Sequence, residues 1–97
     1  MAAPIFSPAA QADIEDIYHY TLQNWGIEQA EKYIRALGAS CHDLGYGSKR
    51  GLDVGNIRPG YKKLSCGSHF IFFKVTDTEK TEIIRILHQS MDVDRHL

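Results

Sequence analysis

Long apolar runs and cysteine pairs are both lacking in this sequence of 97 residues. No run approaches the roughly 20 consecutive apolar residues that a membrane-spanning helix requires, so we expect no membrane span. The first residues, Met1 to Pro4, contain neither a basic segment nor an apolar stretch, and we expect no signal peptide. Cys41 and Cys66 are too few for the disulfide framework of a small secreted domain. These absences predict a cytoplasmic protein with reduced thiols.

Signatures of bound nucleotides and metals are lacking as well. Gly47-Ser48-Lys49 is the nearest approach to a phosphate-binding loop, but it follows a predicted helix and has no Gly-Lys pair. Cys41-His42 and the Cys66 to His69 segment offer zinc-type ligands without the paired cysteines of a structural zinc site. Cys41 also falls on the apolar stripe of a predicted helix, where a buried thiol acts as a small hydrophobic side chain. We therefore expect no metal and no cofactor, and a disulfide between the two cysteines is disfavoured in the cytosol.

A strong excess of charge is the third absence. The net charge of −1 gives the whole chain no attraction for nucleic acid, and we expect no sequence-specific nucleic-acid binding. The distribution is nevertheless uneven, because Lys49 to Val75 contains six basic residues and one acidic residue. Such a run is usually a solvated loop or sheet edge, which composition alone favours here, but it can also form a basic face for an acidic partner.

The composition that is present is that of one folded domain spanning residues 1–97, with 43% apolar and 24% charged residues. Ser7-Pro8 is a typical helix start, and Gly26 is a typical helix end. A second helix follows at once and runs to about residue 44, so the two helices form an antiparallel hairpin. A short strand at Ile5-Phe6 can precede it. The apolar side chains that recur at helical spacing are Ala10, Ile14, Ile17, Tyr18, Thr21 and Trp25 in the first helix, and Ala30, Tyr33, Ile34, Leu37, Cys41 and Leu44 in the second.

Beyond a glycine-rich loop over residues 45–56, the apolar pattern changes to the two-residue period of strands. We predict strands over residues 61–65, 68–76 and 81–88, joined by short turns into an antiparallel meander. The fold class is therefore α+β, a helical hairpin packed on a small antiparallel sheet. Both faces of the middle strand are apolar while the hairpin covers one, so we expect an apolar groove on the other face.

The C-terminal residues 92–97 are predicted to form one helical turn capped by Asp92. The segment is polar, so we expect it to be accessible to solvent and to contribute to function rather than to packing. The alternative is that Leu97 packs onto the sheet and that the charged residues only keep the tail soluble.

Charged and histidine side chains suggest one possible chemistry. Arg58, Lys62, Lys63, Arg85 and His88 could gather on one sheet surface, where a histidine beside cations suits acid–base cleavage of RNA. The alternative, which we favour, is that His88 is a hydrogen-bonded polar group at a strand end. No serine or cysteine has an evident histidine and acid partner, so nucleophilic catalysis has no support.

Short segments along almost the whole chain form a recognisable series. In the helical half these are Tyr20-Thr21, Trp25-Gly26 and Gln29-Ala30-Glu31-Lys32-Tyr33. In the second half they are Asn56-Ile57-Arg58-Pro59-Gly60-Tyr61, the strand from Gly67 to Val75, Ile84-Arg85-Ile86-Leu87-His88, Met91-Asp92 and Arg95-His96-Leu97. In this order the segments resemble the ParE toxins of bacterial type II toxin–antitoxin systems, and the C-terminal ones are the more specific.

The resemblance implies a RelE/ParE-like fold and a non-enzymatic toxin of the bacterial cytoplasm. Such a toxin traps DNA gyrase with cleaved DNA and is neutralised by a cognate ParD-type antitoxin. The candidate target-binding residues are Arg58, Tyr61, Lys62, Lys63, Arg85, His88, Asp92 and Arg95. The candidate antitoxin-binding residues are Tyr18, Tyr20, Phe70 and Phe72.

Two alternatives remain open from the sequence. One is a ribosome-dependent messenger-RNA endoribonuclease of the related RelE type. The other is a protein of the same fold that binds an antitoxin but has lost toxicity.

Overall fold

A computed structural model describes residues 2–97 of the chain. It shows two helices packed on a sheet, and a short third helix follows the last strand. In chain order the elements are β1 (Ile5–Phe6), α1 (Pro8–Trp25), α2 (Ile27–Tyr46), β2 (Leu52–Asp53), β3 (Lys62–Cys66), β4 (His69–Val75), β5 (Thr81–His88) and α3 (Val93–His96). The predicted α+β class and the helical hairpin are confirmed.

The helix boundaries follow the caps that the sequence predicts. The Ser7 hydroxyl accepts the Ala10 N–H at 3.0 Å, and Pro8 occupies the first turn of α1. Gly26 separates α1 from α2 with a φ of 91°, a conformation that favours glycine. α2 runs two residues past the predicted end because Gly45 is not a helix breaker there. A side chain at Gly45 would come within 2.7 Å of the Ala2 carbonyl oxygen, so close packing requires this glycine.

The sheet has the strand order β1-β5-β4-β3-β2. The meander of β3, β4 and β5 is antiparallel as predicted, but β1 pairs in parallel with β5 and makes the whole sheet mixed. β2 was not predicted, since it lies inside the glycine-rich loop. Its two residues become a strand because Leu52 and Asp53 pair with Lys63 and Lys62 of β3, and such pairing is invisible to local sequence patterns.

One face of the sheet packs against the helical hairpin. Ile71 and Phe73 of β4 point to this side, as the alternation predicts, and Cys41 is buried here as a packing residue. Both cysteines are free thiols. The buried members of this core are Ala10, Ile17, Leu37, Cys41, Leu44, Ile71, Phe73, Ile83 and Ile86.

The opposite face of the sheet, called here the outer face, is also covered, and this corrects the expectation of an open apolar groove. Phe72 and Leu87 are fully buried there, together with Val54. The segment from Val54 to Tyr61 and the C-terminal α3 supply the cover, with Ile57, Tyr61, Phe70, Val93 and Leu97 packed around the buried residues.

The predicted C-terminal turn is present, with the Asp92 carboxylate accepting the Asp94 N–H at 3.1 Å. The expectation that the tail does not contribute to packing is wrong, and the alternative that Leu97 packs onto the sheet is confirmed. Val93 and Leu97 lie on the side of α3 that packs on the outer core, because a four-residue helical spacing returns side chains to the same face.

No helix within residues 2–97 combines the length and the apolar composition that crossing a bilayer requires.

Candidate functional site

A cavity of about 520 Å³ opens where the C-terminal half of α1 and the N-terminal half of α2 meet the strand ends of β4 and β5. We call it the histidine pocket. Its lining residues are Tyr20, Thr21, Trp25, Gln29, Tyr33, Ser68, His69 and His88. A second depression continues from it along α1, lined by Asp16, Ile17, Ser90 and Met91 together with the shared Tyr20, His69 and His88.

Tyr33 and His69 form the floor of the pocket. The Tyr33 hydroxyl lies 2.6 Å from His69 Nδ1 and accepts the Ser68 N–H at 2.9 Å. The same hydroxyl lies 3.3 Å from the Cys66 carbonyl oxygen, a second acceptor for its proton. Burial raises the pKa of Tyr33, so the hydroxyl keeps its proton. Burial and the nearby His88 lower the pKa of His69, which favours the neutral imidazole.

A close approach of the backbone makes this arrangement possible. Gly67, in the turn between β3 and β4, has a φ of 57° and faces the Tyr33 ring. A side chain at Gly67 would come within 2.6 Å of the Tyr33 hydroxyl oxygen, so only glycine lets the turn close over it.

His88 lies beside His69, with ring centroids 5.3 Å apart, because the two residues are cross-strand partners. Its Nδ1 accepts the Ser90 N–H at 3.1 Å and lies 2.7 Å from the Ser90 hydroxyl. Within residues 2–97, no three His, Cys, Asp or Glu side chains gather as a metal-binding group.

Arg85 does not belong to a shared cationic surface. Its Nε and Nη2 donate to the two carboxylate oxygens of Asp13, both at 2.8 Å, and Nη1 donates to the His96 carbonyl at 3.0 Å. Asp13 also accepts the Ile86 N–H at 2.9 Å and so replaces a neighbouring strand at the open edge of β5. Arg85 therefore links α1, β5 and α3, and its positive charge is paired with Asp13 inside the fold.

Five of the other ten lysine and arginine residues lie on one β-hairpin, residues 49–63, which we call the basic hairpin. It comprises β2, β3 as far as Lys63, and the loop between them, closed by the Val54 N–H donating to the Tyr61 carbonyl at 2.9 Å. Its positive side chains are Lys49, Arg50, Arg58, Lys62 and Lys63.

The predicted target-binding residues divide between separate places. Arg58, Tyr61, Lys62 and Lys63 lie on the basic hairpin, and His88 lies in the histidine pocket. Arg85 is held by Asp13, whereas Asp92 and Arg95 are exposed on the tail with their side chains 3.7 Å apart. The possible gathering of these cations around His88 does not occur, partly because successive residues of a strand, such as Lys62 and Lys63, point to opposite faces. The favoured alternative is confirmed, since His88 is a polar residue at the end of β5 that is hydrogen-bonded to Ser90.

The four predicted antitoxin-binding residues do not share a surface either. Tyr20 is exposed at the histidine pocket, and Tyr18 does not line it. Phe70 is half-buried on the outer face beside Lys63, and Phe72 is wholly buried and inaccessible to a partner.

Sequence reasoning did not assign Trp25, Tyr33 and His69 to the pocket. Trp25 was placed on the apolar stripe of α1, yet 71% of it is exposed. Periodicity identifies the face of a helix but not how far along the helix the sheet extends, and Trp25 is the last residue of α1. Tyr33 and His69 meet only through the fold, so no local signal links them.

Residues 5–93 match the family described as "ParE toxin of type II toxin-antitoxin system, parDE". The chain belongs to the ParE toxin family. The resemblance seen in the sequence is thereby confirmed, and the match spans nearly all of the chain, including the histidine pocket and the basic hairpin.

Curated relatives named as ParE toxins align with this chain over nearly their whole length. The chain is 45% identical over 93 residues to Toxin ParE1 of Mycobacterium tuberculosis, covering 96% of this chain and 95% of the relative. It is 42% identical to Toxin ParE1 of Caulobacter vibrioides, covering 94% and 93%. It is 30% identical to Toxin ParE of Escherichia coli, covering 96% and 90%.

A solved structure shares the ParE fold. The chain from "Chromosomal ParDE TA system from P. aeruginosa" aligns with a TM-score of 0.74 and 22% identity, covering 91% of this chain and 96% of the other. At this identity the likeness supports the fold alone.

Proposed function

We propose that this ParE-family protein acts in the bacterial cytoplasm as a non-enzymatic toxin. It inhibits DNA gyrase by trapping the enzyme with cleaved DNA, and a ParD-like antitoxin holds it inactive. The observation that carries the proposal is the near full-length match to ParE toxins, with 45% identity to a mycobacterial one. The description of the matching family names parDE, and this supports a ParD-like partner.

The geometry of the histidine pocket gives little support to RNA cleavage. General acid–base cleavage of RNA needs a cation close to the reacting phosphate as well as a proton-transferring group. Arg85 is held by Asp13, and Lys63 lies over Phe70 on the outer face of the sheet. Lys62 stands at the far end of β3 from Cys66, roughly 13 Å away at the usual rise of a strand.

The first prediction concerns the target. With relaxed plasmid, ATP and gyrase, the purified protein is expected to inhibit supercoiling and to leave linear DNA after protein digestion. An equimolar amount of the product of a neighbouring antitoxin gene should restore supercoiling. His88→Ala should inhibit gyrase as the parent does, because no catalytic histidine is required.

Messenger-RNA cleavage on purified ribosomes is the informative second assay. Ribosome-dependent cleavage that disappears in His88→Ala, with gyrase unaffected by the parent protein, would establish the RelE-type reaction instead. A protein that binds the antitoxin but affects neither gyrase nor RNA would have lost toxicity.

The histidine pocket is the surface that we propose for the antitoxin. Tyr20 and Trp25 are 66% and 71% exposed at its rim, and Met91 is exposed at its continuation along α1. Tyrosine and tryptophan are enriched among the residues that dominate binding energy, and an apolar pocket between them fits an anchoring side chain. An apolar segment of the antitoxin laid along α1 would bury all three.

The second prediction tests this surface. Trp25→Ala is expected to weaken antitoxin binding by about 30-fold or more, as the loss of an aromatic anchor worth about 2 kcal/mol would. Isothermal titration calorimetry with the purified antitoxin measures the change. Tyr46→Ala is the matched control. Tyr46 is an exposed aromatic residue at the other end of the helical hairpin, packed against His42. Equal losses in both variants, or none in Trp25→Ala, would place the antitoxin elsewhere.

A further inference from the structure

The cations of this protein divide sharply into paired and unpaired ones. Across residues 2–97, four of the 11 lysine and arginine side chains have an aspartate or glutamate side-chain oxygen within 4.0 Å. These are Arg35, Lys74, Arg85 and Arg95. All five cations of the basic hairpin are among the other seven, so the hairpin concentrates the positive charge that the fold leaves unpaired.

The hairpin has almost no negative charge of its own. Its one acidic residue is Asp53, and the Asp53 carboxylate accepts the Gly55 N–H at 2.7 Å within the loop. The Lys63 ammonium, instead of meeting a carboxylate, lies 4.1 Å from the centre of the Phe70 ring. The Arg58 Nε donates to the main-chain oxygen of Leu97 at 3.2 Å, which holds this side chain against the C-terminal tail.

Protection of the sheet edge does not account for these charges. Lysines on an edge strand discourage pairing with other sheets. The edge strand here is β2, and its residues Leu52 and Asp53 carry no positive charge. Lys62 and Lys63 are on the inner neighbour β3, where adjacent residues point to opposite faces, while Lys49, Arg50 and Arg58 lie outside the strands.

We propose that the basic hairpin contacts the phosphate backbone of DNA. Double-stranded DNA carries one negative charge per roughly 1.7 Å of its axis, so a duplex that lies against the hairpin brings several phosphates near its unpaired cations. The proposal rests on the proposed function, in which the toxin meets gyrase while gyrase holds DNA. It assigns the hairpin to the DNA of that complex and leaves the gyrase protein to other surfaces.

The proposed contact recognises the charge of the DNA phosphates and not the base sequence. Phosphates carry no base information, so the hairpin positions the toxin without selecting a site on the DNA. The net charge of −1 keeps attraction to free DNA modest and confines it to this hairpin.

Binding of a fluorescent duplex of about 20 base pairs at about 50 mM salt tests the proposal without gyrase. The triple variant Lys49→Gln, Arg50→Gln, Lys62→Gln removes three exposed hairpin cations. The control Lys32→Gln, Arg35→Gln, Lys80→Gln removes three exposed cations elsewhere and produces the same net charge. Circular dichroism and antitoxin binding confirm that both variants are folded.

The hairpin variant should bind DNA at least tenfold more weakly, while the control stays within about twofold of the parent. The slope of log K against log salt should become shallower by about 2.7 in the hairpin variant alone, at about 0.9 per lost phosphate contact. Equal weakening of both variants, or no binding by the parent, would overturn the proposal. Polyglutamate that competes as strongly as DNA would also overturn it, in favour of an acidic protein partner.

The gyrase assay on the same variants separates this proposal from the proposed function. If the parent and the hairpin variant inhibit gyrase equally, the proposed toxin function stands and the basic hairpin has no part in it. Hairpin-dependent DNA binding by a parent that does not affect gyrase would sustain the DNA contact and reject gyrase as the target.

Discussion

Asp13→Ala is expected to lower the free energy of unfolding by about 3–5 kcal/mol, the cost of breaking a buried ion pair from one side. Only 9% of Asp13 is exposed, and its carboxylate accepts from Arg85 and from the Ile86 N–H. Alanine would leave a half-buried guanidinium and a buried backbone donor without their acceptor. Because small domains are stabilised by only about 5–15 kcal/mol, this is a large share of the total.

Urea denaturation followed by circular dichroism measures the loss. Asp16→Ala is the matched control, since Asp16 lies on the same helix with its side chain exposed. Asp13→Asn should fall between the two, because the amide keeps an acceptor oxygen and loses the charge. A change below about 1 kcal/mol in Asp13→Ala would show that water replaces the carboxylate and that the pair is not structural.

Deletion of residues 93–97 is expected to lower the free energy of unfolding by about 2–4 kcal/mol, mainly through loss of apolar burial. Val93 and Leu97 cover Phe72 and Leu87, which are 0% and 1% exposed. The deletion also removes the His96 carbonyl that accepts from Arg85. Exposed phenylalanine and leucine should promote aggregation, so the truncated protein should be less soluble as well.

Point variants separate packing from surface charge in the tail. Leu97→Ala should reproduce part of the loss, while Asp94→Ala should change stability little because its side chain is exposed. Growth arrest measured on Asp92→Ala and Arg95→Ala then tests target binding on a folded protein. A truncated protein as stable as the parent would show that α3 contacts the buried residues of the outer face without contributing to stability.

The local patterns that predicted most of the fold are those that act over a few residues. Ser7-Pro8 and Gly26 bound α1 because capping and φ preferences are properties of the residues themselves. β5 spans Thr81–His88 as predicted, because a turn and an alternating β-forming run mark both of its ends. The end of α2 was missed since Gly45 was read as a helix breaker, whereas packing against Ala2 explains it.

The candidate site was less predictable because its members are brought together over long separations. Arg85 was assigned to target binding, and nothing near it in the sequence reveals that Asp13, 72 residues away, accepts from it. Tyr33 and His69 are 36 residues apart and meet only when α2 packs beside β4. By contrast, the basic run was visible at once, because residues 49–63 are contiguous and form a single hairpin.

The sequence by itself determined the helical hairpin, the three-stranded meander, the membership of the ParE toxin family and the position of the basic run. Only the tertiary structure decided that β1 joins in parallel, that the tail covers Phe72, and that Arg85 belongs to the fold while Trp25 faces the pocket. The physical reason is the separation along the chain over which each interaction acts. Capping, turn preference and hydrophobic period depend on neighbours along the chain, whereas strand pairing, ion pairing and burial depend on groups that are close only after folding.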